Sequence, residues 1–118
     1  MEKTQMSLAE VQEMVDSWIK KYGVKYFQPL TNLGILMEET GEFARYLVRI
    51  HGEQSFKNKE EESKAKDNLR DEWADMFWVM VCLANQLNID MEAAFKETMD
   101  KKTQRDATRH LENEKLKK

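Results

Sequence analysis

Apolar residues recur at three- and four-residue spacing in four separate segments, and that period commits the chain to helices. In the first segment Leu8, Val11, Val15, Trp18, Ile19 and Tyr22 share one face. Ser7-Leu8-Ala9-Glu10 forms a capping box, in which hydroxyl and carboxylate reciprocally satisfy free backbone N–H groups. Gly23 stops this helix, and residues 24–31, with the only proline, Pro29, read as an ordered connection. A second helix is expected to start near Thr31 or Asn32, to carry Leu33, Leu36, Phe43, Ala44, Leu47 and Ile50 on one face, and to end at Gly52. Residues 53–68 are charged and nearly free of apolar side chains apart from Phe56. They read as a loop entering a solvated first part of a third helix. That helix turns strongly apolar from Leu69 through Leu87, where Asn88 can end it. Asp90 is then an N-cap for a fourth helix from Met91 to about His110, and the Lys-rich tail after Leu111 is expected to fray.

One proline and four glycines in 118 residues leave little turn chemistry for an all-β fold. The expected class is all-α: four antiparallel helices in a bundle, with residues 1–118 as one domain. A net charge of −3 argues against a nucleic-acid polymer as partner, though not against a nucleotide whose phosphates a metal neutralises. No apolar run approaches the ~20 residues that span a bilayer, so no membrane partner is expected. Cys82 is the single cysteine and no signal peptide precedes the first polar helix, which fits the cytoplasm. The third helix is apolar nearly all round, with Phe77, Trp78 and Val81 off its main stripe. A chain this short does not readily wrap such a helix alone, so a homo-oligomer, dimer or tetramer, is expected.

The acids sit where acids are expensive. At ~100° per residue, Glu39 and Glu42 lie along one border of the second helix's apolar stripe, whereas Glu38 points nearly opposite it. In the third helix Glu72 falls within the stripe and Asp75 borders it. Each helix thus offers two carboxylates at i, i+3 aimed toward the interior. Buried together they repel one another, and Arg45, Arg49 and Arg70 do not share their edge. A hard divalent cation with oxygen preference compensates best, Mg²⁺ or alternatively Mn²⁺. Two other readings stay open. A di-iron carboxylate bundle would want Glu-x-x-His pairs, yet neither His51 nor His110 lies three residues after a glutamate. A non-catalytic helical adaptor would use the acids to bind a basic partner.

Glu38-Glu39-Thr40-Gly41-Glu42, followed one helix later by Glu72-Trp73-Ala74-Asp75, resembles the paired motifs of the MazG-like, all-α nucleoside triphosphate pyrophosphohydrolases. Phe27-Gln28-Pro29 and the helix entry at 32–37 look similar too, and the resemblance spans roughly Ser7 to Arg109. It implies magnesium ligands at Glu39, Glu42, Glu72 and Asp75, with Glu38 helping to hold a second metal or to orient water. It implies hydrolysis of a nucleoside triphosphate between the α and β phosphates, to a monophosphate and pyrophosphate, in the removal of non-standard or surplus nucleotides.

On the fourth helix Met91, Ala94, Phe95 and Thr98 form an apolar face that Lys102, Arg105 and Arg109 continue, with Lys101 on its border. Cations near a helix C-terminus complement its dipole, and they are also placed to grip phosphates, as the resemblance implies. Where the family often has Tyr-Pro, this chain has Arg109-His110. Trp18 and Tyr22 are expected in the core by periodicity, and Trp73, Phe77 and Trp78 in the core or at a subunit interface. Tyr26 and Phe27, in the connection, are candidates to stack on a base. His51 and His110 are expected at the surface, and Cys82 as a small buried thiol.

Overall fold

A computed structural model of the chain describes residues 5–117, which form four α-helices and no strand. Helix α1 spans Leu8–Trp18, and its capping box is formed: Ser7 Oγ accepts from the Glu10 N–H at 3.0 Å while the Glu10 carboxylate accepts from the Ser7 N–H at 3.1 Å. Beyond Trp18 the coil widens into a π-helical turn, Ile19–Gly23, instead of continuing as α-helix to Tyr22. The chain then reverses at Val24, with φ 71° and ψ −59°, where the Lys25 N–H donates to the Gly23 carbonyl at 2.8 Å. This is a three-residue γ-turn of the strained hand. A β-branched residue at positive φ is an outlier, at a cost of about 1–3 kcal/mol.

Helix α2 spans Pro29–His51 and so begins ahead of the expected Thr31 or Asn32. Proline suits the first helical position because its fixed φ is already helical and its missing N–H would have been unpaired there. The earlier start puts Asn32 in the first turn, where its side chain is buried. Asn32 Nδ2 donates to Gln86 Oε1 at 2.8 Å, and Gln86 Nε2 donates in turn to the Phe27 carbonyl. Gly52 follows the helix because a Cβ there would run into the Val48 carbonyl oxygen.

Helix α3, Lys59–Gln86, is capped by Asn58, whose Oδ1 accepts from the Glu61 N–H at 2.8 Å. It folds back on α2 as a helical hairpin, pinned at its start by an Arg45–Glu61 ion pair. Asn88, at φ 57°, makes the left-handed step after α3 that asparagine tolerates. Helix α4, Met91–Asp106, has Asp90 Oδ1 accepting from the Ala93 N–H at 3.0 Å. It ends short of His110, where an Arg109 N–H to Asp106 carbonyl bond of 3.1 Å tightens the chain into turns. A 3₁₀ turn, Glu114–Leu116, closes the described chain.

The core is small: Val15 and Ile19 meet Val81 and Cys82 of α3, with Val11, Tyr26, Phe77 and Met91 packed around them. Gln12 ties three elements together. Its Nε2 donates to Asn85 Oδ1 and the Ile89 carbonyl, while its Oε1 accepts from the Met91 N–H. Tyr26 is held similarly: its hydroxyl donates to Asp16 at 2.7 Å and accepts from Asn85 at 3.0 Å. Burial, then Asp16, pushes the phenol up to about 12.

One expectation is corrected here: Trp18 and Tyr22 are exposed rather than core. Helix α4 contributes no buried residue. The π turn adds residues per coil, so the α-helical period that put Tyr22 on the buried stripe no longer holds through Gly23, while Trp18, the last residue of α1, faces the cavity described below. Helix α4 packs mainly on α1. The radius of gyration is 18.4 Å, against about 13.5 Å for a compact domain of this length. The accessible surface is 9899 Å², roughly 3,200 Å² more than a folded monomer of 14.0 kDa normally exposes.

Candidate metal centre and its adjoining cavity

Helix α2 presents Glu39, and α3 presents Glu72 and Asp75, so that one carboxylate oxygen from each lies within 4.8 Å of the others. The hairpin brings the two i, i+3 edges together, as helical spacing allows. The Oε2 atoms of Glu39 and Glu72 are buried without a hydrogen-bond partner. Among the described residues no lysine or arginine forms an ion pair with any of these acids. Burial, followed by the adjoining carboxylates of Glu39 and Glu42, pushes Glu72 up to about 8. A proton shared with Glu39 is one way to relieve that repulsion. A divalent cation is another, and three converging carboxylates with two orphaned oxygens have the hard-donor chemistry that Mg²⁺ or Mn²⁺ takes.

Glu42 is exposed and stands outside the close group of three, but its carboxylate adjoins Glu72. Glu38 is exposed and belongs to neither the cluster nor the cavity beside it.

That cavity, about 470 Å³, has Glu39 and Asp75 in its wall. Trp18, Tyr26, Phe27 and Trp78 supply aromatic surface, and Ile19, Ile35, Val79 and Cys82 supply aliphatic and thiol surface. Trp18 and Trp78 meet edge to face, with ring centroids 5.2 Å apart. Tyr26 and Phe27, expected from the sequence to stack on a base, are therefore beside the acids. Trp73 is not; it is exposed and stacks on Phe77 at 5.6 Å. Among the described residues, Asn32 and Lys25 are the polar or charged members of the wall outside its two acids and its aromatic rings.

Sequence reasoning did not single out Lys25, Asn32 or Ile35, and it placed Trp18 in the core. Asn32 carried a signal, a polar residue beside an apolar helical stripe. Lys25 carried none, since its place depends on the reversal at Val24.

None of Lys101, Lys102, Arg105 and Arg109 lines the cavity. Arg105 and Arg109 embrace Asp106 at 2.9 and 3.2 Å, and Arg105 chiefly holds that carboxyl down at about 2. Lys101 pairs with Glu97 at 3.5 Å. His51 and His110 are exposed and Cys82 is buried, its thiol pushed up by that burial. No described helix is long and apolar enough to cross a membrane.

Residues 27–110 match the model of the MazG nucleotide pyrophosphohydrolase domain. The chain is 34% identical to YpjD of Bacillus subtilis over 92% of its own length and 94% of that protein. It is 28% identical to YvdC of the same organism over 85% and 96%. Among solved structures it resembles a Bacillus-conserved MazG protein described as a nucleotide pyrophosphohydrolase, with TM-score 0.68, 32% identity, and 84% and 92% of the two chains covered. The crystal structure of B. subtilis YpjD matches with TM-score 0.70 and 33% identity over 84% and 95%.

Proposed function

Because this chain belongs to the MazG nucleotide pyrophosphohydrolase family, we propose that it hydrolyses nucleoside triphosphates to monophosphate and pyrophosphate with Mg²⁺ or Mn²⁺, clearing unwanted nucleotides from the cytoplasm. The observation that carries this reading is the carboxylate group Glu39, Glu72 and Asp75, with its two orphaned buried oxygens, set in the wall of an aromatic cavity. Oxygens within 4.8 Å of one another could share one cation, and a cavity of about 470 Å³ has room for a small molecule, which supports this reading.

In this reading Glu39, Glu72 and Asp75 hold the cation, and Glu42 joins them or keeps Glu72 oriented. A bound divalent ion supplies charge neutralisation for the phosphates and lowers the pKa of an attacking water. Trp18, Tyr26, Phe27 and Trp78 stack on the base, while Ile35 and Val79 exclude water from its edge. Glu38 is left to orient water from outside the cluster.

A homo-oligomer belongs to the same proposal. The surplus of roughly 3,200 Å² on one chain is more than the per-partner share of a standard interface, about 800 Å², so one or more contacts with further copies could cover it. A groove of about 300 Å³ between α2, α3 and α4, lined by Leu36, Phe77, Met80, Leu83, Ile89 and Met91 among others, is almost wholly apolar and suits a second copy. The phosphate role proposed for Lys101, Lys102, Arg105 and Arg109 needs α4 at a cavity that it does not line within one chain. Those cations would then act across the oligomer.

The deciding experiment is a screen of standard and modified nucleotides for pyrophosphate release, repeated in ¹⁸O water with the best substrate. Monophosphate and pyrophosphate should form with no orthophosphate, and label in the monophosphate locates attack at the α phosphorus. Orthophosphate with a nucleoside diphosphate would make the protein a phosphatase and overturn the proposal.

A further inference from the structure

Among the described residues, Lys25 is the only cation in the wall of the cavity that Glu39 and Asp75 share. It stands there without a partner: among the described residues it forms no ion pair, with those acids or any other. Counter-ion duty toward the carboxylates therefore does not account for its place. Backbone geometry fixes that place. The π turn Ile19–Gly23 and the γ-turn at Val24 reverse the chain, so that Lys25, Tyr26 and Phe27 enter the wall together. Val24 itself is 84% exposed and packs on nothing that would explain a β-branched residue at φ 71°. Strain without a packing reason, directly before a cavity residue, points to a demand for position.

The charge balance says what the position serves. Three carboxylates and a polyphosphate remain negative in sum even with one divalent ion between them, so a further positive charge is needed on the ligand's side. A lysine ammonium on a flexible stem is a compact charge with three donors, suited to phosphate oxygens at the rim of a site. We propose that Lys25 is the phosphate-binding residue supplied by the chain's own cavity, and that the strained turn at Val24 is the positioning device that holds it there. This rests on the polyphosphate reading of the site above.

Inorganic tripolyphosphate with Mg²⁺ tests the proposal without a base and without turnover. By titration calorimetry, Lys25→Met should bind it at least tenfold more weakly than the natural protein, and Lys25→Arg within about threefold. Quenching of Trp18 and Trp78 fluorescence by a nucleoside lacking phosphates should be unchanged in both variants. Val24→Gly, which reaches the same φ without a Cβ clash, should unfold no earlier than the natural protein and bind tripolyphosphate as tightly, whereas Val24→Pro, whose ring fixes φ at about −65°, should bind it several-fold more weakly. Unchanged tripolyphosphate binding in Lys25→Met, or equal loss for the nucleoside, would overturn the lysine's role. Full affinity in Val24→Pro, or a several-fold loss in Val24→Gly, would overturn the turn's role. Absent triphosphate turnover with intact, Lys25-dependent tripolyphosphate binding would instead count against the pyrophosphohydrolase reading alone.

Discussion

Glu39 on α2 and Glu72 on α3 face each other across the helical hairpin, each with one carboxylate oxygen buried and unpaired. Their repulsion works against the packing of α2 on α3, the most extensive helix–helix contact among the described residues. Whatever neutralises the pair therefore stabilises the fold as well as equipping the site.

Metal binding should thus be visible as stability. Mg²⁺ or Mn²⁺ at a hundredfold excess over its dissociation constant should stabilise the protein by about 2.7 kcal/mol, read as a rise in melting temperature that EDTA reverses. Glu39→Gln should lose most of that rise. A melting temperature indifferent to both metals would remove the metal site.

The metal-free protein should prefer acid to neutral solution. Glu72 is raised from 4.5 to about 8, so between these values the folded state holds a proton that the unfolded state has released. This contribution is complete below pH 4.5 and is lost as the pH climbs through 8. Glu72→Gln keeps a neutral side chain throughout and should flatten the dependence. At pH 8 in EDTA it should melt about 4 °C or more above the natural protein, equivalent to ~1 kcal/mol. A natural protein that gains stability across this window would contradict the burial of Glu72.

Turnover should separate the adjacent glutamates. Glu72→Gln removes a ligand charge and little volume, so activity should fall below about a tenth, more than ~1.4 kcal/mol of barrier, with helical circular dichroism intact. Glu38→Gln should be milder, since Glu38 is exposed and apart from the cluster. Equal losses would place Glu38 among the ligands.

Sedimentation at micromolar protein should show a dimer or tetramer. Met80→Glu, which charges the apolar groove, should shift the population toward smaller species. A folded, active monomer would mean that the excess surface is tolerated in water.

Much of this molecule was legible before any fold was known, for local reasons. Ser7, Asn58 and Asp90 sit where backbone N–H groups need a cap; Ser7 and Asp90 were read as such in advance, and Gly52 as the stop of α2. Glu39, Glu72 and Asp75 were separable from Glu38 because a helix of fixed period assigns each residue a direction. Other facts were settled only by tertiary structure. Trp18 lines a cavity because the reversal after the π turn brings Tyr26 and Phe27 into the same wall, and Lys25 joins it because Val24 bends the backbone into a conformation its residue type disfavours. Asn32 turns inward because α2 starts at Pro29 and Gln86, fifty-four residues away, offers an acceptor. Helix α4 carries an apolar face that one chain leaves exposed. Periodicity and capping act over one turn of chain, whereas these placements depend on which distant surfaces meet, and no local pattern encodes that.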